Sequence, residues 1–442
     1  MENNNEDLEI KNIRERQENR ERLQKEIKDE GRKNFSMGLF SGILISVFLV
    51  SVTLCAKVII DSYRAKTANE EIKENIESVT KDKDSILSDD EALDKIMLIE
   101  DIIDQYYIED MDDAVIEDGI YSGMMQSLGD PYAVYYDEDA LKKLNEDTQG
   151  VYYGIGAYLQ KDPDTKYPKI TGVIENAPAE EVGLMPEDLI YKVGELDVFD
   201  MDLTEVVSMI KGPAGTKVHL TILRKNSESV ELDVERRKVE TPTVKSEVYE
   251  DGTAYISISE FDAVTVAQFK EAMDNVKGQE AKGLILDLRG NPGGSLTSVV
   301  DIANYILPKG LVVYTEDKYG KKEEYKSDGK NELNIPLVVL VDGGSASASE
   351  ILAGAIKDYE KGTLVGTTTF GKGIVQRVLG LPDGTAVKLT VSHYYTPLGN
   401  DINKVGIEPD VVVEFDADAY LENKENDNQL IKAKEILKEK IK

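Results

Sequence analysis

Ser345, Ser347 and Ser349 fall in one short turn of the stretch Leu337–Lys357, LVVLVDGGSASASEILAGAIK, between segments of different pattern. Leu337–Val341 is a continuous apolar run and suits an interior strand, whereas Ile351, Leu352, Ala355 and Ile356 recur at helical spacing. The serines therefore sit at a helix N-terminus. Unpaired N–H groups and the positive end of the helix dipole there stabilise a developing alkoxide or oxyanion. The arrangement is that of a nucleophile elbow without the G-x-S-x-G letters. Ser347-Ala-Ser-Glu350 also fits a capping box, S-x-x-E, which requires no chemistry.

A nucleophilic serine needs a base. The chain has two histidines, His219 and His393, and neither lies in a glycine-rich or turn context beside another candidate polar group. A lysine can replace histidine if burial lowers its pKa to roughly 7 to 8. Lys372, in TTTFGKGIVQ, is the candidate, because Gly362–Pro382 contains no Asp or Glu in a chain with 85 acidic residues among 442. A nearby carboxylate would hold the ammonium form. If Gly373–Leu379 is a strand, alternation points Lys372, Ile374 and Gln376 to one side, where the Gln376 amide could orient the amine. A rival reading is a P-loop, since Gly366-Thr-Thr-Thr-Phe-Gly-Lys372 matches its first seven positions. The eighth is Gly373, which lacks the hydroxyl needed for magnesium, and the β-branched pair Ile374-Val375 follows where a helix should begin.

Together GSASASEI, FGKGIVQ and the earlier DLRGNPGG resemble the C-terminal processing peptidases, or tail-specific proteases, which are Ser/Lys endopeptidases carrying a PDZ domain. The resemblance runs from about Asp90 to the C-terminus. It implies an α/β peptidase core of crotonase/Clp-protease type with a PDZ domain inserted upstream and a helical cap before that. It also implies Ser347 as nucleophile, Lys372 as general base 25 residues later, Gln376 in support, and a homodimer. The glycine turn of DLRGNPGGSL permits close backbone approach, and the amides of Gly293, Gly294 and Ala348 are the candidate oxyanion donors. An ordinary tight turn is the plainer reading of that glycine pair.

The remaining chain divides by pattern. A net charge of −33 disfavours nucleic acid, whose phosphates need a basic face. No cofactor or metal is expected. The single cysteine, Cys55, permits no intramolecular disulfide. Residues 1–34 read as a charged, solvated arm. Residues 35–60 carry one charge, Lys57, and span roughly 39 Å as a helix, enough to cross a hydrocarbon core of about 30 Å. An uncleaved anchor fits better than a signal peptide, given the long arm before it. Nine Lys or Arg precede that segment and Asp61 follows it, which predicts a single-pass cell-membrane protein with a cytoplasmic N-terminus and an extracytoplasmic catalytic domain.

Residues 61–88 read as a stalk and 89–147 as the helical cap, in which Leu93, Ile96, Met97, Ile99, Ile102, Ile103 and Tyr106 form an apolar stripe and a second helix runs through Asp118–Leu128. Residues 148–235 look like the PDZ domain. Its Gly154-Ile155-Gly156 turn would offer N–H groups to a substrate's free C-terminal carboxylate, with Lys211 as a possible helper and a groove along Leu203–Ile210 for an apolar side chain. Glu187 replaces the glycine usual in the family at the next turn. Residues 236–425 alternate apolar strands with helices and read as an α/β core. Residues 426–442 form a terminal helix with Leu430, Ala433, Leu437 and Ile441 on one face. The expected substrates are proteins or peptides with free C-termini. An inactive PDZ scaffold and a nucleotide-binding protein are the other classes left open.

Overall fold

The computed structural model describes residues 90–225 and 229–441. The arm, the membrane helix and the stalk expected over residues 1–88 lie outside the described residues. Among the described residues no helix is long and apolar enough to cross a membrane. The chain divides into two units, Met1–Asp110 and Met111–Lys442.

In the first unit, helix α1 (Asp90–Tyr106) carries the apolar stripe, and Met97, Ile99, Ile102 and Tyr106 are exposed. The second unit opens with α2 (Asp113–Gln126), which starts five residues before the expected Asp118 because the Asp112 carboxylate caps it by accepting from Ala114 N–H at 3.0 Å. Strand β1 (Val134–Tyr136) and helix α3 (Glu138–Gln149) follow.

A two-stranded ribbon, β2 (Val151–Gly154) paired antiparallel with a later strand, leads into the PDZ fold. That fold contains β3 (Ala157–Lys161), β4 (Pro168–Val173), the short α4 (Pro178–Glu181), β5 (Leu189–Val193), β6 (Leu196–Asp197), α5 (Leu203–Ile210), β7 (Lys217–Leu223) and β8 (Val230–Glu235). Its strands run in the order β3-β4-β5-β7-β8, with β6 on β5, and α5 packs on β3 and β5 through the buried Val206 and Ile210. The partner of β2 is β9 (Arg237–Glu240), so the PDZ fold is an excursion between the two strands of one ribbon. Glu187 forms the turn in which glycine was expected, at φ 73°, a left-handed conformation that costs a side-chain-bearing residue about 1 to 2 kcal/mol. Its carboxylate lies 3.5 Å from Lys169 Nζ.

The core comprises β10 (Val244–Val248), β11 (Thr253–Ile258), α6 (Thr265–Gly278), β12 (Gly283–Asp287), α7 (Leu296–Ala303), β13 (Gly310–Asp317), β14 (Lys322–Ser327), β15 (Leu337–Val341), α8 (Ala348–Asp358), β16 (Thr363–Gly366), β17 (Ile374–Gly380), β18 (Ala386–Tyr395), β19 (Val411–Val412), α9 (Ala417–Glu422) and α10 (Asn428–Ile441). Its main sheet has the order β10-β11-β12-β15-β16-β19, parallel from β11 onward.

Strand β15 and residues 284–286 of β12 are apolar without interruption because both sheet faces are covered. Leu284, Leu286, Leu337, Val339 and Val341 pack with α6, α7 and α8, while Ile285, Val338 and Leu340 pack under Ala433 and Leu437 of α10. Arg289 fastens that last helix, its guanidinium donating to Asp287 and Asp427. Helix α7 ends at Ala303, where Tyr305 and Ile306 close tight turns onto Ile302 and Ala303. A second sheet, β1-β18-β13-β14 with β17 on β18, carries the segment after Lys372.

Candidate active site

The serine turn joins the buried end of β15 to α8, and there Ser347 adopts φ 54° and ψ −111°. A non-glycine residue in so sparsely populated a conformation stores about 1 to 3 kcal/mol and persists only where its surroundings over-determine it. They do so here. Ser345 Oγ donates to Leu288 O at 2.8 Å and accepts from Asp342 N–H at 3.0 Å. Ser349 Oγ and Ala346 N–H both donate to Asn291 O, at 2.9 and 3.0 Å. Ser345 and Ser349 are fully buried. Ser347 alone of the three lines an open cavity of about 410 Å³, together with Lys372, Gln376, Gly294, Ala348 and Tyr394.

The expected capping box is present: Ser347 N–H donates to Glu350 Oε2 at 2.9 Å, and the Ser347 side chain faces the Glu350 N–H, though without a cap hydrogen bond of ordinary geometry. Glu350 does more than close a helix. Completely buried, it also accepts from Thr369 Oγ1 at 2.6 Å, Gly371 N–H at 2.7 Å and Lys372 N–H at 2.8 Å. One carboxylate thus ties the serine turn to the lysine loop. Tyr394, almost completely buried, donates to the carbonyls of Ser347, at 3.1 Å, and of Lys372.

Lys372 precedes β17 and is partly buried, with its Nζ 4.4 Å from the centre of the Tyr132 ring and in no ion pair among the described residues. Burial pushes its pKa below the usual lysine range and Lys388 adds to the effect, whereas Asp130 and Glu350 oppose it. The absence of acidic residues around Lys372 in sequence therefore did not produce a carboxylate-free site, because the tertiary fold delivers two from elsewhere. The expected alternation is also interrupted. A bulge between Val375 and Gln376 lets Ile374, Val375 and Gln376 all line the cavity, and the Gln376 amide lies 3.4 Å from Thr390 Oγ1 and 3.5 Å from Ile374 O rather than on the lysine.

Of the expected oxyanion donors, Gly293 is already engaged, donating its N–H to Asn291 Oδ1 at 2.9 Å. Its role is space: at φ 108°, a Cβ on Gly293 would stand 2.8 Å from Ser347 Cβ and from Ala346 O. Gly294 and Ala348 line the cavity, and their N–H groups have no partner among the described residues. The histidines are elsewhere. His219 is exposed on the PDZ sheet between Asp233 and Glu231, and His393 is exposed on β18. The P-loop reading fails structurally, since strand β17 occupies the place of the phosphate-binding helix.

In the PDZ fold, Gly154, Ile155 and Gly156 join β2 to β3. The N–H groups of Ile155 and Gly156 have no partner among the described residues, and Ile155 O accepts from Ala179 N–H at 2.8 Å. Lys211 Nζ sits 3.6 Å from Glu146 of α3 and 5.2 Å from the centre of the Tyr152 ring. Sequence reasoning missed Tyr394, Asn291, Tyr132 and Lys388, and it read Glu350 only as a cap.

This geometry has known relatives. Residues 252–413 match the model of peptidase family S41, residues 169–224 that of a PDZ domain, and residues 55–140 that of the activating protease CtpB N-terminal domain. The carboxy-terminal processing protease CtpA of Bacillus subtilis is 38% identical over 328 residues, covering 74% of this chain and 70% of its own. The chain belongs to the carboxy-terminal processing proteases of peptidase family S41. A carboxyl-terminal-processing protease of Synechocystis is likewise 38% identical, over 66% of this protease and 69% of its own length. Among solved structures, the photosystem II D1 C-terminal processing protease is similar at 31% identity, covering 71% of this protease and 86% of its own chain with a TM-score of 0.43. This protease is a serine-type peptidase of mixed α/β structure with a PDZ domain.

Proposed function

We propose that this protease hydrolyses peptide bonds with a Ser347/Lys372 dyad, outside the cytoplasm and anchored by a helix over residues 35–60. The observation that carries the dyad is that Ser347, the one accessible serine of its turn, shares a cavity with a partly buried lysine that has no ionic partner among the described residues. Ser347 Oγ attacks the scissile carbonyl carbon as neutral Lys372 Nζ takes its proton. The N–H groups of Gly294 and Ala348 receive the oxyanion. Collapse breaks the C–N bond, and the leaving amine takes the proton back from Lys372. A water then attacks the acyl-enzyme, giving its proton to Lys372, which returns it to Ser347 Oγ as the carboxylate product leaves. Lys372 leaves the Tyr132 ring to act, and the Gln376 amide on the same wall turns from Thr390 and the Ile374 carbonyl to orient it.

The PDZ fold selects substrates by their free C-termini, through the unpaired N–H groups of Ile155 and Gly156 with Gly154 completing the turn. The exposed apolar stripe of α1 supports a homodimer.

A fluorophosphonate should label the wild-type protein and the Ser345→Ala and Ser349→Ala variants, but not Ser347→Ala. Lys372→Arg, which keeps the charge but cannot deprotonate, should abolish turnover with folding intact. Labelling of folded Ser347→Ala would overturn the assignment. For topology, a reporter after Arg20 should be shielded in intact cells and one after Thr80 reached by external reagent; the reverse pattern would refute the anchor's orientation.

A further inference from the structure

The catalytic cavity carries a second group of charges that the dyad does not use. Past the end of β11, Phe261 forms a parallel bridge with Gly294: Phe261 N–H donates to Gly293 O at 2.8 Å and Ser295 N–H donates to Phe261 O at 2.7 Å. In so extended a segment alternate side chains point to opposite sides. Phe261 enters the core, and its neighbours Glu260 and Asp262 line the cavity. Asp147 joins them from the end of α3, which is held against this segment by Ala263 N–H donating to Thr148 O at 3.2 Å.

None of the three carboxylates makes a hydrogen bond or an ion pair among the described residues, and Asp262 is only 5% exposed. A buried carboxylate without a partner is costly, and structural carboxylates in proteins are normally paired. Glu350, equally buried in the same site, shows the contrast with its four donors. Burial, reinforced by Glu260 and then Asp147, pushes the Asp262 carboxyl up to about 7. The charges acting on Lys372 come from a different set, Lys388, Asp130 and Glu350. The cavity thus has a cationic end on β17 and β18 and an anionic end beside the Gly294 loop.

We propose that Asp147, Glu260 and Asp262 form a subsite for an arginine or lysine side chain of the substrate, next to the scissile bond; the proposal rests on the Ser347 reading. The subsite adjoins the reacting centre because the segment carrying Glu260 and Asp262 is hydrogen-bonded to the loop that presents Gly294. A resident metal ion does not fit, since among the described residues no three such side chains have metal-holding spacing. A cation on a long stem does fit, because a guanidinium offers five donors in a fixed fork to several carboxylate oxygens at once.

The test uses the full-length protein and peptides with free C-termini that differ only in arginine against its neutral isostere citrulline, placed in turn at each position flanking the cleaved bond. At one position the arginine peptide should show a kcat/KM about 10- to 100-fold above its citrulline partner. Asp262→Asn and Glu260→Gln should each lower the arginine peptide toward the citrulline value. Glu260 is exposed, so its substitution leaves folding out of the comparison. Equal cleavage of the two peptides at every position, or an arginine preference that survives both substitutions together, would overturn the subsite while leaving the dyad standing. Failure of the wild-type protein to cleave either peptide, with Ser347 unlabelled, would remove the dyad and the subsite together.

Discussion

Glu350 and Tyr394 grip the backbones of the same two residues on either side of Cα: the carboxylate accepts the N–H groups of Ser347 and Lys372, and the phenol donates to the carbonyls of both. Ser347 and Lys372 are 25 residues apart in sequence, so this pair of side chains, rather than local structure, fixes the spacing of the proposed nucleophile and base. Tyr394→Phe removes the shared donor and leaves the Lys372 carbonyl without a partner among the described residues, while the Ser347 carbonyl keeps Ile351 N–H at 3.0 Å, a loss of roughly 1 to 3 kcal/mol in stability. It should also lower kcat, by about 100-fold for a displacement near 1 Å, with KM little changed. Thermal unfolding and steady-state kinetics measured together decide the point. A lowered Tm with unchanged kcat would mean that Tyr394 only holds the fold.

Gly293 predicts a steric effect on the nucleophile. A methyl group there meets Ser347 Cβ and Ala346 O at 2.8 Å and must also be borne at φ 108°. Gly293→Ala should therefore abolish fluorophosphonate labelling while the PDZ fold, which is separate from this loop, keeps its spectrum. Gly294 has no such contact with Ser347; the nearest atom to its Cβ position is Phe261 O at 2.5 Å. Full labelling of Gly293→Ala would show that the close approach is not needed.

The pH dependence follows from the surroundings of Lys372. Its ammonium form is disfavoured by burial and by Lys388, and favoured by Asp130 and Glu350. In the proposed dyad neutral Lys372 is the active form, so activity should rise as pH climbs through its pKa. Lys388→Gln removes a repulsion, raises that pKa, and should move the ascending limb of the kcat/KM profile to higher pH. Asp130→Asn removes an attraction and should move it to lower pH. Shifts in the same direction for both variants would exclude Lys372 as the titrating base.

What the sequence revealed, and what it hid, divides along a physical line. Strand β15 and helix α8 were legible because burial on two faces gives an unbroken apolar run and burial on one stripe gives helical spacing. The cluster of Ser345, Ser347 and Ser349, and Lys372, were legible as residue types in glycine-rich settings, whereas Ser347 was singled out only by the family resemblance. Glu350 was visible only as a cap, since three of its four donors come from residues 369 to 372, and local spacing carries no trace of them. Lys388 and Asp130 were hidden for the same reason. Even the withdrawal of Gly293 from the donor set depends on which way the Asn291 amide turns, a choice made by Ile258 O, which accepts from Asn291 Nδ2 at 2.9 Å.

The PDZ fold yields the last prediction. The N–H groups of Ile155 and Gly156 have no partner among the described residues, and Gly156 lies so close to Ala177 that a Cβ would stand 2.3 Å from that methyl, which keeps the turn as bare backbone. A charge-assisted hydrogen bond to a terminal carboxylate contributes roughly 1.5 to 3 kcal/mol, so amidating a substrate's C-terminus should weaken capture by about 10- to 150-fold. How that loss divides between KM and kcat is informative. If the PDZ fold only tethers substrate, KM alone rises. Lys211 offers a route for more, because it lies against Gly154 and reaches Glu146 on α3, one residue before the Asp147 that lines the catalytic cavity. Carboxylate docking that shifted Lys211 would be felt at that wall, and amidation would then lower kcat as well. Glu146→Gln should restore a pure KM effect in that case. One peptide with free and amidated ends, measured on the wild-type protein and on this variant, separates the possibilities. Identical kinetics for the two ends on the wild-type protein would refute carboxylate reading and leave the Ser347 and Lys372 assignments untouched.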